Sequence, residues 1–214
     1  MNLGSWKTRA LMGVLLMTSN IVLGAEGSTA ETPSGQVPGK ISTKPVRVLH
    51  RSIAYQADFG RFTQSLERIL GHKPPDVEEE QFAGQPRLAE DRLKAAEGAQ
   101  ELMIFTVFNH GAALNVITAP RNAKQYLIGN PLTAIQMDQH DIRAALYAPL
   151  RVLVYEQTKG RTIVEYDQPS SLFGQFERDD VTQVARTLDV KLERVLAQAA
   201  ALSQPSALSM EQSR

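Results

Sequence analysis

The stretch PLRVLVYEQTKGRTIVEYDQP, residues 149–169, constrains the fold more than any other part of this chain. Two β-rich runs with alternating apolar and polar residues flank a short turn that contains Lys159-Gly160. That pattern specifies a hairpin of antiparallel strands. A long helical stripe follows it in Val181, Val184, Ala185, Leu188, Leu192, Val195, Leu196 and Ala199. Asp179 and Asp180 favour the positive end of that helix.

Elsewhere the same two periods recur. Residues 46–55, VRVLHRSIAY, are expected to form a first strand. Phe59, Phe62, Leu66, Ile69 and Leu70 share one helical face, with Asp58 placed to cap the helix and Gly71 to end it. LMIFTVF, 102–108, is continuously apolar, as in a strand covered on both faces. A short helical piece is expected at 112–117. KQYLI, 124–128, alternates and ends at Gly129. LTAIQMDQH after Pro131 reads as a short helix capped by Asn130. The fold class is therefore α+β: about five strands in a largely antiparallel sheet, with main helices at 59–70 and 180–201 packed on one face.

The domain is expected over 45–202. Residues 26–44 are rich in Ser, Thr, Gly and Pro and read as a flexible linker, and 203–214 as a disordered tail. Residues 72–100 combine a Pro-Pro loop, three successive glutamates and a surface helix with a Glu90–Lys94 pair. The first 25 residues carry Lys7 and Arg9 before an apolar run, then small residues at Gly24 and Ala25. That is the pattern of a cleavable signal peptide, with cleavage near Gly24 or Ala25 and a periplasmic or secreted product. The polar triplet Thr18-Ser19-Asn20 interrupts the run, so no membrane span is expected in the mature chain. No cysteine follows the run, which excludes a lipid anchor there.

Composition excludes several functions. Loss of residues 1–25 leaves 21 basic against 23 acidic residues, a charge of −2. A near-neutral chain lacks the footprint of a nucleic-acid binder. The absence of cysteine excludes thiol nucleophiles, iron–sulfur clusters and thiolate zinc sites. There is no G-x-S-x-G, H-E-x-x-H, Walker loop or G-x-G-x-x-G. Met103, Met137 and Met210 are scattered, whereas a copper site wants clustered ligands. No cofactor is expected.

Four pieces carry a family resemblance: FNHGA after one strand, YLIGNP, YAPLRVLVYE and IVEYDQPSSL. In this order they resemble the bacterial and archaeal domain of unknown function 302 family, over about 101–201 and more loosely over 46–71. Asn109 stands where that family usually has Asp, Ile128 where it has Phe, and Asp167-Gln168 where it has Asn-Asp. Against that pattern, 72–100 looks like an insertion. The resemblance implies a compact α+β fold and a homodimer, and no activity.

One constellation bears on function. Asn109-His110, Gly129-Asn130-Pro131 and Tyr166-Asp167 each stand at the carboxyl end of a predicted strand. On a shared edge they would converge on one ligand-binding rim of Asn109, His110, Gly129, Asn130, Tyr166 and Asp167. His110 would then act as general base or ligand, with Tyr166 and Asn130 as hydrogen-bonding partners. Antiparallel neighbours would instead put some of them at opposite edges. The plainer alternative is turn chemistry: Asn caps, Gly takes φ > 0, Pro starts a helix, and His bonds a backbone carbonyl. Asp138, His140 and Asp141 read as a solvated helix end, and His50 and His72 carry no assignment. The expectation is an exported, non-enzymatic domain that binds a small molecule or a protein partner. The alternatives are an enzyme using His110 as acid/base, and a metal-binding accessory protein using His110 and His140.

Overall fold

A six-stranded sheet in the order β1-β6-β5-β4-β3-β2 organises the computed structural model, which describes residues 39–77 and 84–204. The expected signal peptide, most of the linker, Glu78–Glu80 and the tail from 205 lie outside the described residues. The chain divides into Met1–Thr43 and Lys44–Arg214. Of the first unit, residues 39–43 are described; they are exposed and without regular structure. The second unit holds every element named below.

The strands are β1 (His50–Tyr55), β2 (Gly71–His72), β3 (Met103–Phe108), β4 (Ala123–Gly129), β5 (Leu150–Thr158) and β6 (Arg161–Asp167). The helices are α1 (Phe59–Ile69), α2 (Pro86–Ala95), α3 (His110–Ala113), α4 (Pro131–Asp138), α5 (Pro169–Phe173) and α6 (Asp179–Leu202). The α+β class stands. The expected helices at 59–70 and 180–201 are present as Phe59–Ile69 and Asp179–Leu202, but further helices join them, so the two-helix description needs correction. So does the strand count: among the described residues there are six strands, and β2 pairs in parallel with β3. A two-residue strand has no periodicity to detect. The first strand begins at His50 rather than at residue 46.

The hairpin forms as expected. β5 and β6 pair antiparallel around Lys159-Gly160, and Gly160 takes φ +78, which suits glycine. On one face, Ile104, Tyr126, Ile128, Val152, Val154 and Val164 pack beneath α1 and α6 in the main core. Phe62, Leu66, Leu192, Val195 and Leu196 are wholly buried there. Each such side chain contributes on the order of 1.5–3 kcal/mol by leaving water. Glu67 of α1 binds the sheet through the Tyr126 hydroxyl (2.7 Å) and the Lys124 ammonium (2.8 Å). A smaller core of Val77, Ala89, Leu93 and Met103 seats α2.

Asp58 caps α1 by accepting a hydrogen bond from the Arg61 N–H at 2.9 Å. The helix does not end on a left-handed Gly71. Leu70 turns extended and Gly71 opens β2. Glycine is needed at 71 for space, because a Cβ there would lie 1.8 Å from the Ala96 carbonyl oxygen. β3 is buried on both sides only at its start: Met103 and Ile104 are buried, and Phe108 is 49% exposed.

Candidate functional site

The join between β4 and α4 is dictated locally. Asn130 is extended, with φ −147 and ψ 121, and its side-chain oxygen accepts the Leu132 N–H at 2.8 Å. Pro131 takes the first helical position, where a missing N–H costs nothing. The Asn130 amide also donates to the Glu97 carboxylate (2.7 Å) and the Glu101 carbonyl (2.8 Å). Asn130 is therefore satisfied by the protein itself, and its role is to hold α4 against the turn at Ala99–Glu101.

Beside this join lies a cavity of about 250 Å³. Gly129, Asn130 and Pro131 line it, with Phe105 from β3, Pro149 and Leu150 before and within β5, and Phe173 from α5. Gly129 is not in the left-handed region. What it supplies is a missing side chain: a Cβ there would touch Pro149 Cβ at 3.4 Å and Phe105 Cε2 at 3.5 Å. The wall between these two rings stays recessed.

From α4, Pro131, Ala134, Ile135 and Asp138 line the cavity. Their i, i+3, i+4, i+7 spacing is one helical face. Among the described residues, Asp138 is the one ionisable residue in this lining. One of its carboxyl oxygens, Oδ1, is buried without a hydrogen-bond partner. Burial pushes the carboxyl above its ordinary range. Its neighbours in sequence are fully engaged. The Asp141 carboxylate accepts from Arg143 at 2.6 Å, and that contact holds its carboxyl down at about 2. His140 Nδ1 meets Asp180 at 3.1 Å. The expectation of a solvated helix end thus suits His140 alone: the Asp141 side chain is only 11% exposed against Arg143, and Asp138 is part-buried.

The six candidate residues do not form one rim. Gly129 and Asn130 line the cavity. Asn109 and His110 stand past the other end of β3, because β3 and β4 run antiparallel and Phe108 pairs with Gln125. There Asn109 caps α3 by accepting the Ala112 N–H at 2.9 Å. His110 Nε2 lies 3.5 Å from Gln125 Oε1. Tyr166 and Asp167 share the Gly129 end but face opposite sides of the sheet. Tyr166 is buried in the main core, and burial, with Glu193 adding to it, pushes its phenol up to about 12. Tyr166, Val152, Tyr126 and Val107 form one row across four strands. Tyr166 is thus three inter-strand steps, roughly 14 Å, from β3, and His110 lies farther along. A site with both His110 and Tyr166 in contact with one substrate is not built here.

Asp167 belongs to a cluster that sequence reasoning missed, on the sheet face opposite α1 and α6. It meets His50 Nδ1 at 3.0 Å. His50 Nε2 lies 3.5 Å from Glu165, and the Tyr155 hydroxyl donates to Glu165 at 2.9 Å. The hydrogen bond with Asp167 raises the His50 imidazole above its usual value, against some desolvation. The pairing of β1 with β6 creates this cluster, and nothing in the local sequence around His50 announces it. His110, Gln125, Tyr155 and Glu165 line a broad open depression on the same face. Among the described residues no group of three or more His, Cys, Asp or Glu is arranged to hold a metal ion.

The family model described as "Domain of unknown function DUF302" matches residues 83–199, so its match begins within the 72–100 stretch. A crystal structure of an uncharacterized conserved DUF302 protein from Bacillus stearothermophilus is similar at 14% identity and a TM-score of 0.49. That similarity covers 70% of this chain and 97% of the other. No curated protein matches the sequence.

Proposed function

This chain belongs to the DUF302 family, and we propose that it is an exported domain that binds a small molecule in the cavity beside Gly129-Asn130-Pro131. The observation that carries the reading is the lining itself. It is a recess of mainly apolar side chains with one unpaired carboxyl, the composition of a ligand site rather than of a packing defect. Asn130 holds its rim rigidly, and Gly129 keeps the wall open.

Titration calorimetry with 1-hexanol tests the reading. Saturable one-to-one binding is expected in the native chain, and its loss in Gly129→Val, which extends a side chain between Phe105 and Pro149. Absence of saturable binding in the native protein, by 1-hexanol and by hexyl analogues with other head groups alike, overturns it. The export reading rests on residues 1–25. N-terminal sequencing of the protein from a periplasmic fraction tests it, with a start just after Gly24 or Ala25 expected and an intact Met1 contradicting it.

A homodimer completes the reading. Phe108, Gln125, Leu153, Glu165 and Ser52 form one row across the sheet face opposite α1 and α6. Burial of that face against a second copy would cover Phe108 and Leu153. Light scattering on the purified protein distinguishes a dimer from a monomer, and a Phe108→Lys substitution is expected to shift it toward monomer.

A further inference from the structure

Asp138 lines the cavity with a carboxyl that no basic side chain among the described residues faces. Its Oδ1 is buried and accepts no hydrogen bond. The basic residues that follow it are committed elsewhere, His140 to Asp180 and Arg143 to Asp141. Asp138 is also the last residue of α4, and the last turn of that helix contains no basic residue. A helix C-terminus carries partial negative charge, so a carboxylate there is disfavoured and a cation is favoured. The carboxyl, and more weakly the helix end, thus favour positive charge beside an apolar wall.

We propose that the ligand is a small primary amine, its ammonium held by Asp138 at the end of α4 and its hydrocarbon body lying against Phe105, Pro149, Leu150 and Phe173. This assignment rests on the cavity being a binding site. An ammonium supplies three donors and neutralises the carboxylate in one contact. An alcohol of the same length donates to the same carboxyl but leaves its charge. A carboxylate of the same length repels it. The expected order of affinity is therefore amine, then alcohol, then acid. A charge-assisted hydrogen bond exceeds a neutral one by enough to set amine and alcohol about tenfold apart.

Titration calorimetry near neutral pH with hexylamine, 1-hexanol and hexanoate on the purified protein reads this order directly. Hexylamine is expected to bind about tenfold more tightly than 1-hexanol, with hexanoate weakest. In Asp138→Asn, hexylamine should lose its about tenfold advantage over 1-hexanol, in a variant whose circular-dichroism spectrum matches the native one. Equal affinity of hexylamine and 1-hexanol for the native protein, or unchanged hexylamine affinity in Asp138→Asn, overturns the amine assignment and leaves the cavity as an apolar binding site. Failure of all three probes to bind the native protein overturns both.

Discussion

The two ends of the central sheet use nearly the same local grammar and arrive at different results. At one end, Asn109 caps a short helix directly after β3 and Gly111 follows. At the other, Gly129 precedes Asn130, which caps a short helix directly after β4. At the first end, backbone fills the space: a Cβ on Gly111 would lie 1.7 Å from the Arg121 carbonyl oxygen. At the second, a Cβ on Gly129 would meet only Pro149 and Phe105, at ordinary contact distance, beside a cavity of about 250 Å³. A glycine within two residues of an Asn cap therefore means tight closure in one place and open volume in the other. The difference is made by what the rest of the chain brings alongside: residues 121–123 in one case, α5 and the start of β5 in the other.

The two glycines should respond very differently to an added methyl group. Gly111→Ala must displace backbone and is expected to cost about 2–3 kcal/mol. Gly129→Ala should change stability by no more than about 0.5 kcal/mol. Urea unfolding of the two variants checks the pair, and equal losses would remove the distinction between the two ends.

The caps should differ next. Asn109→Ala loses an exposed cap and should cost about 1 kcal/mol. Asn130→Ala loses the cap and two further hydrogen bonds in a buried setting, and about 2 kcal/mol is expected. Thermal unfolding monitored by circular dichroism separates these values.

The smallest effect concerns Asp138. Its carboxyl is raised by burial above 3.8. The folded state thus holds this proton more tightly than the unfolded chain does. Its contribution to stability is greatest below 3.8, falls as pH rises through the raised value, and stays low above it. Asp138→Asn should remove that fall and slightly stabilise the protein at neutral pH, by less than about 1 kcal/mol because part of the carboxyl reaches solvent. Unfolding free energies across the acid range read the sign, and a steeper fall in the variant would contradict it.

Much of the fold was legible because it is local. The stripes of α1 and α6, the 149–169 hairpin, the Asp58 cap and the Asn130-Pro131 start of α4 each follow from neighbours within a few residues. What was not legible depends on pairing between distant segments. Which strand ends share an edge is set by antiparallel order, and that order sends His110 and Asn130 to opposite ends. His50 meets Asp167 only because β1 pairs with β6 across 117 positions. Of the candidate site, Gly129 and Asn130 were found for turn chemistry, and they are also cavity lining. Asp138 was missed, although its place at i+7 from Pro131 and i+4 from Ala134 put it on that same face of α4. The apolar residues that make this face a cavity wall come from β3, β5 and α5, which no local window contains.

If the Gly129 end of the sheet, and not the His110 end, receives a ligand, backbone amide chemical shifts recorded during titration with hexylamine will show where it sits. Shifts are expected to concentrate at Phe105, Gly129, Ala134 and Asp138, with Ser52, Gln125 and His110 unmoved. Shifts centred on Gln125 and His110, or no saturable shifts at all, would contradict it.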